Sequence, residues 1–186
     1  MDLDGDASYP RVTIRITPMQ ASPWEQDLAL ELSQAFQDGI LSCSTYLGQN
    51  FVELRPEAAL PVFLYLKDKV GFDAIVDITA VDYPKREARF DLIYIVYSYA
   101  RNERLRLKIM VPDNFEPESA VPVWAGANWM EREIFDLFGI RFQGHPDLRR
   151  ILLPDEWNGH PLRRDVSILA MDEDWVREHV GIESGQ

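Results

Sequence analysis

The sequence is poor in the features that bind redox cofactors or cross membranes. Its 186 residues include one cysteine, Cys43, which excludes an internal disulfide and an iron–sulfur cluster held by several cysteines. No run of eighteen apolar residues occurs, so we expect no membrane-spanning helix. A glycine-rich phosphate loop and a dinucleotide fingerprint are both lacking, which argues against a nucleotide site. Excess basic charge is lacking too: the net charge of −12 argues against DNA, RNA or anionic lipid as the main partner.

The charge is unevenly distributed, and residues 141–165 are a local exception. This region holds five arginines against four acidic residues, a local net charge of +1 in a chain of −12. A basic region in an acidic protein often marks a contact with an acidic partner. We therefore expect Arg149 and Arg163 to dock on an acidic groove of a partner. We also expect the chain to remain folded when both side chains are removed.

Apolar periodicity over the first 139 residues predicts helices alternating with strands. Helices are predicted at 23–39 with Ser22 as the cap, at 56–70 before Gly71, and at 123–138 with a possible break near Gly126. Strands are predicted at 12–16, 40–46, 51–54, 73–83, 90–99 and 104–111. Within 73–83, the alternation places Ala74, Val76, Ile78 and Ala80 on one face.

Short turns join the last three strands, which predicts an antiparallel meander with 90–99 at its centre. We therefore predict an α+β fold, with an antiparallel or mixed sheet, helices packed on one side and a long irregular C-terminal extension. The predicted boundaries are an N-terminal arm at 1–22, the α+β domain at 23–139, and a partner-binding loop with the C-terminal tail at 140–186.

The predicted helix 123–138 combines an apolar stripe with charged residues. Met130, Ile134, Leu137 and Phe138 form the stripe. Arg132 and Asp136 are four residues apart, so they can pair on one face of the helix. In an alternative interpretation, the charges at positions 131–133 dock a neighbouring subunit, because charged groups fix the register of interfaces.

Beyond this helix, Gly-His-Pro occurs twice, and each copy is followed closely by Leu-Arg-Arg. His145 and His160 could be metal ligands together with Asp147 and Asp155, but their spacing matches no metal motif. We favour a structural role, in which each neutral imidazole hydrogen-bonds a backbone group and holds an irregular loop. Trp129 and Trp157 flank the region as candidate interface anchors or core residues, and no nucleophile with a nearby base is evident.

Three ordered blocks of this region carry a resemblance to a known family. They are Glu131 to Ile140 (EREIFDLFGI), Gly144 to Leu152 (GHPDLRRIL) and Gly159 to Asp165 (GHPLRRD). They resemble the C subunit, of the 30-kDa type, of the proton-pumping NADH:quinone oxidoreductase, respiratory complex I. The region 51–112 resembles the folded domain of that family more weakly, and the first fifty and last twenty residues match little.

This resemblance implies a scaffold subunit of the peripheral arm that carries no catalytic, cofactor-binding or metal-binding residues of its own. NADH, FMN, iron–sulfur clusters and quinone would belong to the parent complex, a translocase. The implied partners are mainly the large D subunit, together with the B subunit and other peripheral-arm subunits. The implied location is the cytoplasmic side of a bacterial inner membrane, or the matrix side in mitochondria.

The partner interface is expected to contain Glu131, Arg132, Glu133, Asp136, His145, Arg149, Arg150, Trp157, His160, Arg163, Arg164 and Asp165. Two alternatives remain open. One is the equivalent subunit of a related membrane-bound hydrogenase or ferredoxin-dependent dehydrogenase. The other is a free-standing metallohydrolase built on His145 and His160.

Overall fold

A computed structural model of the chain describes residues 20–166 and 177–178. The strand predicted at 12–16 lies outside the described residues. Short 3-10 turns at Gln37–Gly39 and Pro56–Ala58 flank the helices, and a π-helical turn at Leu66–Val70 follows the second helix. The elements, in chain order, are β1 (Ser22–Pro23), α1 (Asp27–Phe36), β2 (Ile40–Tyr46), β3 (Gln49–Leu54), α2 (Ala59–Tyr65), β4 (Ala74–Asp82), β5 (Phe90–Ser98), β6 (Glu103–Val111) and α3 (Ala127–Phe138).

The described strands form one six-stranded sheet in the order β1-β2-β3-β6-β5-β4. The segments β4, β5 and β6 are antiparallel neighbours, as predicted for the meander. The strand β3 pairs with β6 in parallel, which makes the sheet mixed. The predicted α+β class with a mixed sheet is therefore confirmed.

One face of the sheet forms the core with the helices. Val52, Leu107, Tyr94 and Ile78 lie opposite one another across four strands, and each is at most 4% exposed. The alternation of the strands places these apolar side chains in rows on the same face. The ring of Phe63 in α2 packs against Tyr94 with centroids 4.8 Å apart, so the helix closes the core over the central strands.

The prediction that the first helix begins at Pro23 is wrong. Ser22 and Pro23 form β1 and pair antiparallel with β2, and α1 begins at Asp27. Trp24, which is 5% exposed, donates its backbone N–H to the carbonyl of Cys43 at 3.1 Å. Burial of the indole and pairing with β2 stabilise an extended backbone here, and they outweigh the local capping signal.

The glycines near the helix ends have different roles. Gly71 adopts φ +86° and ends the second helical segment, as predicted. Gly39 does not serve as a left-handed cap, because α1 ends at Phe36 and Gln37 takes the positive φ of 40°. A Cβ at Gly39 would lie 2.7 Å from the Cβ of Ala58, so close packing requires glycine there.

The predicted inward face of β4 is wrong before the bulge, at Ala74 and Val76. There Ala74 pairs with the half-buried Tyr97, and Ile75 pairs with the buried Val96 instead. Val76 is 42% exposed, whereas Ile78 and Ala80 are buried. The pairing with β5 shifts register between Ile75 and Asp77, so Val76 is the extra residue of a bulge. A bulge reverses the facing of the residues on either side, which simple alternation does not predict.

Candidate functional site

The helix α3 and the extension that follows it, residues 140–166, form the candidate site. The predicted helix 123–138 begins later, at Ala127, after turns that pass through Gly126. It ends at Gly139, which takes φ +77° and donates its N–H to the carbonyl of Phe135 at 2.9 Å. The extension contains no regular helix or strand, but Ile140 and Phe142 at its start are each 4% exposed and belong to the core.

The buried face of α3 is partly charged. Ile134 and Phe138 are buried as predicted, but Glu131, Arg132 and Asp136 are buried with them. Periodicity did not predict these charged residues, because it assigns charged side chains to the solvent face.

The predicted pair of Arg132 with Asp136 is wrong. Arg132 donates from Nε to the carbonyl of Arg149 at 3.1 Å and from Nη2 to the carbonyl of Arg150 at 3.0 Å. Asp136 pairs instead with the guanidinium of Arg150, with Nη1 and Oδ1 2.7 Å apart. The irregular extension has backbone groups that no sheet or helix satisfies, and both side chains of α3 bind there.

Asp136 is the main attachment point for the extension. Its Oδ2 accepts the consecutive backbone N–H groups of Ile151, Leu152 and Leu153 at 3.0, 2.7 and 2.9 Å. Burial by itself would raise the pKa of Asp136, but the three N–H donors and Arg150 outweigh it and lower the pKa. The side chain is therefore ionised at neutral pH. The three backbone N–H groups form an anion-binding site around this carboxylate, and the contact holds the extension against α3.

His145 and His160 each hydrogen-bond a backbone carbonyl of α3, the structural role that the sequence favoured. The Nδ1 of His160 lies 2.8 Å from the carbonyl of Asp136, and the Nε2 of His145 lies 3.2 Å from that of Asn128. The Nδ1 of His145 accepts the N–H of Asp147 at 3.0 Å. Because Nδ1 accepts, Nε2 carries the hydrogen and the ring is neutral. Within residues 20–166 and 177–178, no three His, Cys, Asp or Glu residues are grouped as metal ligands.

Glu131 is a fully buried carboxyl group beside the His145 turn. It accepts the hydroxyl of Ser119 and the N–H of Ala120, each at 2.6 Å, and its Oε2 lies 4.0 Å from Nε2 of His145. Burial raises the pKa of Glu131 to about 7, although the two hydrogen bonds partly offset this effect. Its charge therefore changes near neutral pH.

A second polar cluster holds the end of the extension, around Arg89. This guanidinium donates to Asp82 at 2.8 and 2.9 Å, to Asp113 at 3.0 Å, and contacts Asp165 at 2.7 Å. Arg89 lowers the pKa of Asp82 and of Asp165, and Arg163 lowers that of Asp113. The cluster joins the β4–β5 turn to the loop at 113 and to the extension.

The structure gives Arg163 a different role from the one expected. Its Nη1 donates to Asp113 at 2.9 Å and to the carbonyl of Phe138 at 3.2 Å, and its side chain is 17% exposed. Removing this side chain would therefore disturb the chain itself, contrary to our expectation for the double variant. Arg149 is different, because its side chain is 70% exposed and contacts the exposed Asp147. For Arg149, the expected contact with a partner stays a prediction.

Some of the side chains exposed on the surface of this region are large and apolar. Trp129 is 62% exposed and Leu152 is 61% exposed. The indole of Trp129 lies 5.4 Å from the guanidinium carbon of Arg132, so it rests on the side chain that binds the extension. Glu133 and Arg149 are exposed. We call Trp129, Glu133, Arg149 and Leu152 the α3 surface.

The remaining predicted interface residues lie away from the α3 surface. Trp157 is half-buried, and its carbonyl accepts Nη2 of Arg150 at 2.9 Å. Arg164 and Asp165 are exposed at the other end of the extension, near Asp82. The structure thus separates the predicted set into internal attachments and two surfaces.

Replacing Gly139 by alanine is expected to loosen the attachment of the extension. Alanine at φ +77° costs about 1 kcal/mol, and its Cβ would lie 2.6 Å from Cδ2 of His160. Because the imidazole must move, we expect a total loss of about 2–3 kcal/mol in the free energy of unfolding. Denaturant unfolding measures it. Gly144→Ala is the matched control, since Gly144 has the same φ of +77° and nothing within 4 Å. Equal losses in both variants would contradict a role for the His160 contact.

Comparisons with known proteins agree with this architecture. The family model described as "Respiratory-chain NADH dehydrogenase, 30 Kd subunit" matches residues 52–172. The NADH-quinone oxidoreductase C subunit of Geobacter sulfurreducens is 40% identical over 147 residues, which cover 78% of this chain and 91% of that protein. The C subunit of Rhodobacter capsulatus is 41% identical over 142 residues, which cover 75% and 71%.

Two solved structures are also similar. The trypsin-resistant fragment (1-134) of Nqo5 is 31% identical with a TM-score of 0.58, covering 65% of this chain and 98% of the fragment. A chain of the archaeal membrane-bound sulfane sulfur reductase has a TM-score of 0.68 over 83% of this chain and 90% of its own length. At 19% identity, the latter shows a shared fold.

In the part of the chain that the structure describes, no helix is long and apolar enough to cross a membrane. The family model spans most of the chain, and the relatives match it over about three quarters of its length. The chain therefore belongs to the family of 30-kDa subunits of the respiratory-chain NADH dehydrogenase, which is the C subunit family of NADH-quinone oxidoreductase.

Proposed function

We propose that this chain is a scaffold in the peripheral arm of a proton-pumping NADH:quinone oxidoreductase and that its α3 surface binds the large D subunit. One observation carries the proposal. The extension is attached to the domain by buried polar bonds, and Trp129 and Glu133 of α3 and Arg149 and Leu152 of the extension stay exposed. Tryptophan and arginine are the residues most enriched at the energetic centres of interfaces.

The buried residues of the predicted interface act indirectly in this proposal. Glu131 and Asp136 are 0% exposed, so a partner cannot touch them. Asp136 fixes the backbone of Leu152, and Arg132 supports the ring of Trp129. Trp129 and Leu152 are thus held in position before the partner binds, which lowers the entropy lost on binding.

Electron transfer takes place elsewhere in this proposal. NADH, FMN, the iron–sulfur clusters and quinone bind to other subunits, and this chain contributes a wall and a docking surface. The B subunit and further peripheral-arm subunits are additional neighbours. The bacterial relatives favour the cytoplasmic side of an inner membrane as the location, with the matrix side as the mitochondrial equivalent.

Removing both apolar anchors should reduce assembly without unfolding the chain. For Trp129→Ala with Leu152→Ala, we expect at least a tenfold loss of affinity for the D subunit, since a central anchor is worth about 2 kcal/mol. The measurements are the amount of assembled complex in membranes and the melting temperature of the isolated variant. Leu30→Ala is the matched control, because Leu30 in α1 is 52% exposed. Full assembly of the double variant with unchanged melting would refute the docking surface.

A related complex is the second candidate, because a chain of the same fold occurs in the membrane-bound sulfane sulfur reductase. An equivalent subunit of a hydrogenase or ferredoxin-dependent dehydrogenase would use the same α3 surface. The subunits that co-purify with this chain from detergent-solubilised membranes distinguish the two: NADH-oxidising subunits support the first candidate, and a hydrogenase or ferredoxin-binding module supports the second.

A further inference from the structure

The turn between β4 and β5 forms a second surface, which differs in charge from the rest of the chain. A cleft of about 480 Å³ opens there, within the range that holds a small ligand or a few side chains. Its lining residues are Tyr83, Pro84, Lys85, Arg86, Arg164 and Asp165. Three of these six carry positive charge, in a chain whose net charge is −12.

Two of the charged groups in the cleft are already neutralised. Asp165 contacts Arg89 at 2.7 Å, so its negative charge is compensated within the chain. Arg86 pairs with Asp91, and its guanidinium stacks on the ring of Tyr83 at 3.8 Å. The stack fixes the aromatic wall of the cleft, and the pair with Asp91 compensates the charge of Arg86.

The other two cations, Lys85 and Arg164, are exposed and have no ion-pair partner within residues 20–166 and 177–178. Glu87 is exposed in the same turn but does not line the cleft. The backbone N–H of Arg164 donates to the buried Asp82 at 2.7 Å. This bond holds two segments, 82 residues apart in sequence, as the two rims of one cleft.

We propose that this cleft binds an acidic segment of a neighbouring subunit. Its carboxylates would pair with Lys85 and Arg164, and an apolar side chain between them would pack on Tyr83 and Pro84. Two cations and an aromatic wall in one cleft suit an extended peptide with alternating acidic and apolar residues. An anionic membrane is disfavoured, because a surface approaching the cleft would also meet a protein of net charge −12. The proposal rests on membership of a multisubunit complex and is independent of docking through the α3 surface.

Zero-length coupling in the intact purified complex tests this proposal. A carbodiimide joins an amine to a carboxylate only where the two form a contact, and peptide mass spectrometry identifies both residues. We expect Lys85 to be joined to an aspartate or glutamate of another subunit. In complex that carries Arg164→Gln, the yield of that product should fall about threefold, as expected for loss of one ion pair at a solvated rim. Arg104→Gln is the control, because Arg104 is exposed on β6 and does not line this cleft.

The other outcomes would overturn the proposal. Coupling of Lys85 only to a carboxylate of this same chain, such as Asp165 in the cleft lining, would mean that no neighbouring subunit reaches the cleft. Protection of Lys85 only when lipid is present would assign the cleft to a membrane surface. If Lys85 formed no coupled product, no acidic segment would occupy the cleft. An unchanged yield in Arg164→Gln would mean that Arg164 does not contribute to binding the segment. Binding of the D subunit is tested by a different measurement, the amount of complex assembled by the Trp129→Ala and Leu152→Ala double variant. Each proposal can therefore fail without the other.

Discussion

Replacing Asp136 by alanine is expected to release the extension from the domain. The carboxylate is fully buried, accepts three backbone N–H groups and pairs with Arg150. Removing one member of a buried ion pair typically costs about 3–5 kcal/mol, because the remaining charge and donors stay desolvated. The loss should fall mainly on the extension, since the rows of apolar side chains in the sheet do not involve Asp136.

Two measurements report this release. Denaturant unfolding of the isolated chain gives the change in the free energy of unfolding, and limited trypsin digestion reports local opening at Arg149 and Arg150. If cleavage follows the open population, 3 kcal/mol corresponds to an increase on the order of 100-fold in its rate.

Asp136→Asn and Asp147→Ala are the matched variants. Asparagine keeps one oxygen to accept the N–H groups of residues 151–153 but turns an amide donor towards Arg150, so an intermediate loss is expected. The side chain of Asp147 pairs with the exposed Arg149, and its removal should cost less than about 1 kcal/mol. If Asp136→Ala behaved like Asp147→Ala, the extension would be held by its other contacts and the central role of Asp136 would be wrong.

The sequence predicts the strands better than the helix ends, and the reason is physical. The strand β2 was predicted at its observed bounds, and the apolar run of β5 was predicted within one residue, because turn residues flank each run of alternating or apolar residues. The start of α1 was missed because the burial of Trp24 and the pairing of Ser22 depend on β2, which lies twenty residues further along the chain. A local capping signal contains no information about such a partner.

The candidate site was located correctly but its bonds were not predictable. The two Gly-His-Pro copies indicated that the histidines hold turns, and both do. The rule for pairs four residues apart assigned Asp136 to Arg132, whereas its partners lie 14–17 residues away in an irregular segment. One signal pointed towards them: an extension without regular structure must find acceptors for its backbone N–H groups, and the preceding helix carries carboxylates that can accept them.

Replacing Glu131 by glutamine is expected to stabilise the chain, and only at neutral and alkaline pH. Burial raises the pKa of Glu131 from 4.5 to about 7, so between these pH values the folded chain binds more protons than the unfolded chain. The associated stability is fully present below pH 4.5 and is lost as the pH rises through 7. This difference between the two pKa values corresponds to a loss of about 3 kcal/mol at pH 8.

Glutamine should remove that loss while keeping the local bonds. Its oxygen can accept the N–H of Ala120, and its amide group can donate to the hydroxyl oxygen of Ser119, which currently donates to the carboxylate. We therefore expect Glu131→Gln to raise the free energy of unfolding by up to about 3 kcal/mol at pH 8 and by little at pH 5. Below pH 4 both proteins should lose stability alike, because Asp82 and Asp136 have lowered pKa values and must be protonated on acidification.

Urea unfolding of both proteins at pH 5 and pH 8 measures the difference, and Glu133→Gln is the matched control. Glu133 is exposed on the same helix, so its substitution should change the free energy of unfolding by less than about 0.5 kcal/mol at either pH. A Glu131→Gln variant that is less stable at pH 8 would reverse the assignment of charge. It would mean that the ionised carboxylate stabilises a protonated His145 across the 4.0 Å between them. The pair would then hold the His145 turn by charge, and the neutral tautomer inferred from the Asp147 N–H bond would be wrong.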